Sequence, residues 1–178
     1  MKDKDKGLVF WFTGRSNAGK TTLVTKICTV LEKDVRVQIL DMDDLRPWLV
    51  SGVSFSKNMR RKFFVRIIEI AKILSNQNVT VLVVAVKRYH EFRNLARKSL
   101  GDRYHEIYVK CSLETCIKRY PKNSLMKKSW KKIQSHIKIF DNFEEPLSPD
   151  FVIDTEHQSV NESLKEIHKF IDSLILKR

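Results

Sequence analysis

Gly14-Arg15-Ser16-Asn17-Ala18-Gly19-Lys20-Thr21-Thr22 has the spacing of a loop built to hold phosphates: a glycine, four residues, a second glycine, a lysine and a hydroxyl residue. In such a loop backbone N–H groups converge on the phosphates. The lysine ammonium meets the outer phosphates, and the threonine hydroxyl reaches a magnesium ion. An apolar run from Leu8 to Thr13 precedes the loop, and a helical pattern follows it. That context suits the chemistry, because a buried parallel strand reads as an unbroken apolar run and a helix N-terminus aims unpaired N–H groups at an anion. The alternative, a glycine-bearing turn without a ligand, fits this strand-loop-helix setting less well.

A second constellation, Leu40-Asp41-Met42-Asp43-Asp44, closes the next apolar run. Ligands of open α/β sheets bind outside the carboxyl ends of the strands, so Asp41 and Asp43 are expected to face the phosphate loop. Asp41 is suited to hold magnesium together with Thr21, and Asp43 to orient or deprotonate an acceptor hydroxyl. A simpler role for Asp43 and Asp44 is to cap the following turn. The third apolar run ends at Val86 without an acidic residue, which leaves Asp41 as the magnesium candidate.

Strands and helices must alternate to place these groups, and the hydrophobic pattern does alternate. Strands are expected at Leu8 to Thr13, Arg36 to Leu40, Val79 to Val86, His105 to Cys111 and Phe151 to Ile153. Helices are expected at Lys20 to Glu32, Ser56 to Ser75, His90 to Leu100, Leu113 to Arg119 and Val160 to Leu176. The fold class that follows is α/β: a three-layer α/β/α sandwich of the P-loop NTPase type around a five-stranded parallel sheet. A basic lid is placed at about 120–146, because eight Lys or Arg and no acid lie between Lys118 and Lys138.

Composition narrows the class. A chain of 178 residues with 42% hydrophobic content suits one domain spanning 1–178. Three cysteines without paired spacing favour neither a disulfide framework nor a zinc site. The charged start MKDKDK is followed by too short an apolar run for a signal peptide or membrane span, so a cytoplasmic protein without a membrane partner is expected. The net charge of +13 raises nucleic acid as a partner, but the clustering of the charge in the lid favours a small phosphorylated ligand instead. A guanine-reading Asn-Lys-x-Asp element is missing from the sequence, which disfavours a GTP switch.

The order FTGRSNAGKTT, LDMDDLR, VSFSKNMRR, VTVLVVAVKRY, EIYVKCSLETCIKRYPK and PDFVIDT resembles the adenylylsulfate kinase family, from about Gly7 to Thr155. The DxDxxR element followed by a Phe-Ser and an Arg is more specific than the phosphate loop. The resemblance implies ATP-dependent phosphorylation of the 3′-hydroxyl of adenylylsulfate, with ATP and magnesium bound and a homodimeric assembly. It implies phosphate-side contacts from residues 14–22, transfer by Lys20 and Asp43, and magnesium at Thr21 and Asp41. On the acceptor side it implies Asp43, Arg46, Arg60 and a base-stacking Phe55, with Val86 and Lys87 at the end of the third strand. Departures gather on that side. Lys87-Arg88-Tyr89 stands where the family has Ser-Pro-Tyr, Phe63 replaces an Asn, Met59 replaces an acid, and the lid stretch SHIKIFDNFEEP is shortened, leaving the second face of the base either unclamped or clamped by Ile139 or Phe140. Buried polar groups set acceptor choice, so a different activated nucleotide, such as a cytidine-based one, stays open, as does a non-catalytic nucleotide- or nucleic-acid-binding protein.

Overall fold

The computed structural model describes residues 6–49, 57–85, 90–119 and 143–176. In chain order the elements are β1 (Val9–Thr13), α1 (Lys20–Leu31), β2 (Val37–Asp41), α2 (Met42–Leu49), α3 (Lys57–Asn76), β3 (Thr80–Ala85) and α4 (His90–Leu100). After a single 3₁₀ turn at Gly101–Arg103 come β4 (Tyr104–Lys110), α5 (Leu113–Lys118), β5 (Phe151–Asp154) and α6 (Val160–Ile175). The expected alternation is present, with strand boundaries shifted by a residue or so.

All five strands run parallel in the order β2-β3-β1-β4-β5. The central strand β1 is buried along its whole length, since helices cover both faces of a parallel sheet. Its side chains alternate between two cores. Phe10 and Phe12 join Leu23 and Ile27 of α1 and Ile167 and Ile171 of α6. Val9 and Trp11 join Phe64 and Ile67 of α3 and Phe92 and Ala96 of α4. Phe63, the departure at an expected polar position, also belongs to this second core, at 2% exposure. It therefore packs as an ordinary core ring.

Helix α2 is an element the sequence reading missed. Asp43 and Asp44 read there as candidate caps of a turn, and Pro47 lies inside the helix. Met42, buried, with Leu45 and Leu49 packed on the second core, supplies the tertiary anchorage that overrides the proline. Because every strand points the same way, residue 14, Asp41 and Thr155 all emerge at one edge of the sheet.

Candidate active site

The phosphate loop is shaped by close backbone approach. Gly14 has φ +155°, and a Cβ built there would stand 2.4 Å from the Val109 carbonyl oxygen of β4, so only glycine fits. Gly19 turns into α1 at φ +98°, and Asn17 occupies the left-handed region at φ 63°, which Asn tolerates better than most residues. The Asn17 amide nitrogen donates to the Cys116 carbonyl at 3.3 Å, tying the loop to α5.

Helix α1 starts with no side-chain cap and no acidic residue in its first turn. Its positive end is thus kept for an anion. Lys20 is 5% exposed and donates its ammonium to the carbonyls of Gly14 at 3.1 Å and Arg15 at 2.7 Å. Burial lowers its pKa to about 8, with Cys116, Asp43 and Asp41 opposing the shift. Ser16 and Thr22 border the same cavity as Lys20, Ala18 is fully buried, and Arg15 pairs with Glu145 at 3.5 Å.

Beside the loop, Thr21 Oγ1 donates to Asp41 Oδ2 at 3.1 Å, and the Asp43 backbone N–H donates to Asp41 Oδ1 at 2.9 Å. Asp43 stands in the first turn of α2 and borders the same cavity. A hydroxyl and a carboxylate form an all-oxygen donor set that suits magnesium, which takes one or two carboxylates and completes its shell with phosphates and water. Among the described residues no cluster of three or more His, Cys, Asp or Glu is placed to hold a metal by itself. Arg46 is exposed on α2 and Arg60 half-buried on α3, whereas Phe55, Val86, Lys87, Ile139, Phe140 and the lid residues 120–142 lie outside the described residues.

A cavity of about 660 Å³ runs from Lys20 and Thr21 past Arg119 and Thr155 to Gln158 and Ser163. Its far wall was not singled out in the sequence. Thr155, just after β5, donates its hydroxyl to the Ala18 carbonyl at 2.8 Å, and Arg119 donates to the Thr155 carbonyl at 2.6 Å. Glu156 accepts from the Thr115 hydroxyl at 2.7 Å and from the Ser112 N–H at 2.9 Å and hydroxyl at 2.8 Å. These bonds hold its carboxyl down to about 2 and fasten the start of α5 under the cavity. No local pattern marks these residues, because their partners are distant in sequence. Cys28, Cys111 and Cys116 are buried free thiols.

The arrangement can hold phosphates at the loop with the Asp41 and Asp43 carboxylates bordering the same cavity, and comparison with known proteins bears on that reading. The family model described as "Adenylylsulphate kinase" matches residues 6–154. The Oceanobacillus iheyensis "Adenylyl-sulfate kinase" is 37% identical, covering 93% of this chain and 84% of its own. The Aeropyrum pernix "Probable adenylyl-sulfate kinase" is 35% identical, over 96% of both chains. Among solved structures, the Mycobacterium tuberculosis APS kinase CysC in complex with AMPPNP and APS superposes with a TM-score of 0.81 at 29% identity, over 94% of this chain and 98% of that one. The phosphate loop, the Asp41–Thr21 pair and the parallel sheet thus sit in a chain that matches these kinases over nearly its whole length, and the chain belongs to the adenylylsulphate kinase family of ATP-dependent phosphotransferases.

Proposed function

We propose that this single-domain chain transfers the γ-phosphoryl group of ATP to the 3′-hydroxyl of adenylylsulfate, working as a homodimer in the cytoplasm. The observation that carries the reading is one cavity bordered by Lys20, Thr21, Asp41 and Asp43 and, past Arg119 and Thr155, by Gln158 and Ser163. No described helix is long and apolar enough to cross a membrane.

The triphosphate lies along the loop N–H groups, with the base and ribose extending toward Arg119 and Gln158. Lys20 leaves the loop carbonyls for the outer phosphates, a short exchange of acceptors that costs little new desolvation because its ammonium is already buried. Thr21 and Asp41 would hold a magnesium ion, which would supply neutralisation of phosphate charge. Asp43 orients the acceptor hydroxyl and takes its proton as the oxygen–phosphorus bond forms and ADP departs. Arg46 and Arg60 hold the acceptor's phosphate side, Phe55 stacks on its base, and Val86 and Lys87 border it.

A coupled ADP-release assay with Mg-ATP tests this reading against adenylylsulfate and a panel of adenosine and cytidine phosphoesters. Turnover with adenylylsulfate supports it. Turnover confined to another nucleotide moves the acceptor assignment and makes Lys87 and Arg88 the determinants, and no turnover with any acceptor returns a binding role.

A further inference from the structure

Arg15 occupies one of the four positions that the phosphate motif leaves open, yet its side chain is only 15% exposed and faces the stretch 143–145. That stretch makes contacts in two directions. Glu145 pairs with Arg15 at 3.5 Å, on the donor side. Glu144 accepts from the His90 backbone N–H at 2.6 Å, and its carbonyl accepts from Arg93 at 2.7 Å, both on α4. His90 opens α4 three positions after Lys87, which the proposed function assigns to the acceptor side.

Phe143 stands between the two groups. It is buried, stacks on Tyr108 of β4 at 6.0 Å, and carries the Arg15 guanidinium at 5.5 Å and the Arg93 guanidinium at 5.8 Å from its ring centre. Arg93 is held in turn by Glu106 at 3.1 Å, both side chains being almost wholly buried. Farther along, Asp150 accepts from the Glu106 N–H at 2.7 Å and pairs with Arg97 at 2.8 Å, which fastens the other end of the stretch.

We propose that Phe143, Glu144 and Glu145 are positioning residues that brace the phosphate loop, through Arg15, against the start of α4, setting the donor and acceptor at a fixed separation. Ion pairs at a solvent-facing site contribute little by themselves. Here the buried ring shared by two guanidiniums locates them, and in-line transfer is sensitive to displacements of about 1 Å. The inference rests on the kinase reading above and assigns residues to which the phosphate motif gives no role.

The test compares Arg15→Leu, Arg15→Lys, Glu144→Ala, Glu145→Gln and Phe143→Leu for both KM values, kcat, AMPPNP affinity and thermal midpoint. Glu145→Gln and Arg15→Leu are expected to raise the ATP KM and weaken AMPPNP binding about fivefold or more, with the adenylylsulfate KM unchanged. Glu144→Ala, which removes the acceptor of the His90 N–H, is expected to do the reverse. Phe143→Leu is expected to raise both constants, and Arg15→Lys to recover part of the Arg15→Leu loss. Constants that stay at wild-type values, or that all move together in step with the thermal midpoint, overturn the brace. If the wild type fails to turn over adenylylsulfate, the acceptor reading falls separately. Equal AMPPNP affinity in wild type, Arg15→Leu and Glu145→Gln then overturns the donor half, and weakened binding supports it.

Discussion

Thr155 donates its hydroxyl to the Ala18 carbonyl at 2.8 Å, linking residues 137 positions apart. The same oxygen lies 3.2 Å from the Lys110 carbonyl and receives Arg119 at 3.2 Å, so the end of β5, the end of β4 and the phosphate loop meet at one hydroxyl. Thr155→Val keeps much of the shape and leaves the Ala18 carbonyl without this partner. Leaving a buried acceptor unsatisfied costs about 1–3 kcal/mol, so urea unfolding is expected at a lower midpoint with an unchanged slope, together with weaker AMPPNP binding. An unchanged midpoint would remove this bond from the supports of the loop.

Lys20 is buried in the phosphate loop, where its ammonium rests on the Gly14 and Arg15 carbonyls. Lys20→Ala removes charge that stabilises the transition state, and by comparison with loss of a single transition-state donor it should lower kcat about a hundredfold or more. The measurement is steady-state turnover alongside a thermal melt. Full activity in a folded variant would refute the site.

The same lysine predicts opposite pH trends for binding and for stability. In the free protein its pKa is lowered to about 8 by burial, and bound phosphates raise it by stabilising the ammonium. Nucleotide affinity is therefore full below about pH 8 and declines above it, with proton uptake on binding. Folding shows the reverse sign for this group. Between about 8 and the ordinary value of 10.5 the unfolded chain holds more protons, so the contribution of Lys20 makes the free protein more stable as pH rises. Calorimetric titration with AMPPNP at several pH values, with Lys20→Met as the control, reads the first effect. A wild-type affinity that stays level from pH 7 to 9.5 contradicts it.

The phosphate loop was legible because its chemistry needs contiguous residues, and the five strands because each is a short apolar run between helical patterns. Helix α2 was hidden by Asp43, Asp44 and Pro47, although Met42, Leu45 and Leu49 at i, i+3 and i+7 carried a usable helical signal. The Asp41–Thr21 pairing followed from strand-end logic. Thr155, Arg119 and the Phe143–Arg15 contact could not be read in the same way, since each is a meeting of residues from different strands or loops that only the β1–β4–β5 pairing brings together.

Asp41 and Asp43 are two residues apart and joined by the Asp43 N–H, yet their proposed roles separate cleanly. Asp41 accepts from Thr21 and belongs to the magnesium side, whereas Asp43 borders the cavity from the first turn of α2. Asp43→Asn keeps the size and the backbone N–H but cannot accept the acceptor's proton. Loss of a general base costs about 10²–10⁴-fold in rate, so kcat should fall into that range while AMPPNP affinity stays unchanged. Asp41→Asn should instead weaken magnesium-dependent nucleotide binding and raise the magnesium concentration needed for half-maximal rate. Turnover titrated with magnesium at fixed ATP, paired with AMPPNP binding with and without the metal, separates the two. If Asp43→Asn shifts the magnesium requirement and Asp41→Asn does not, the assignments are reversed, because only the residue on the metal side can change that requirement directly.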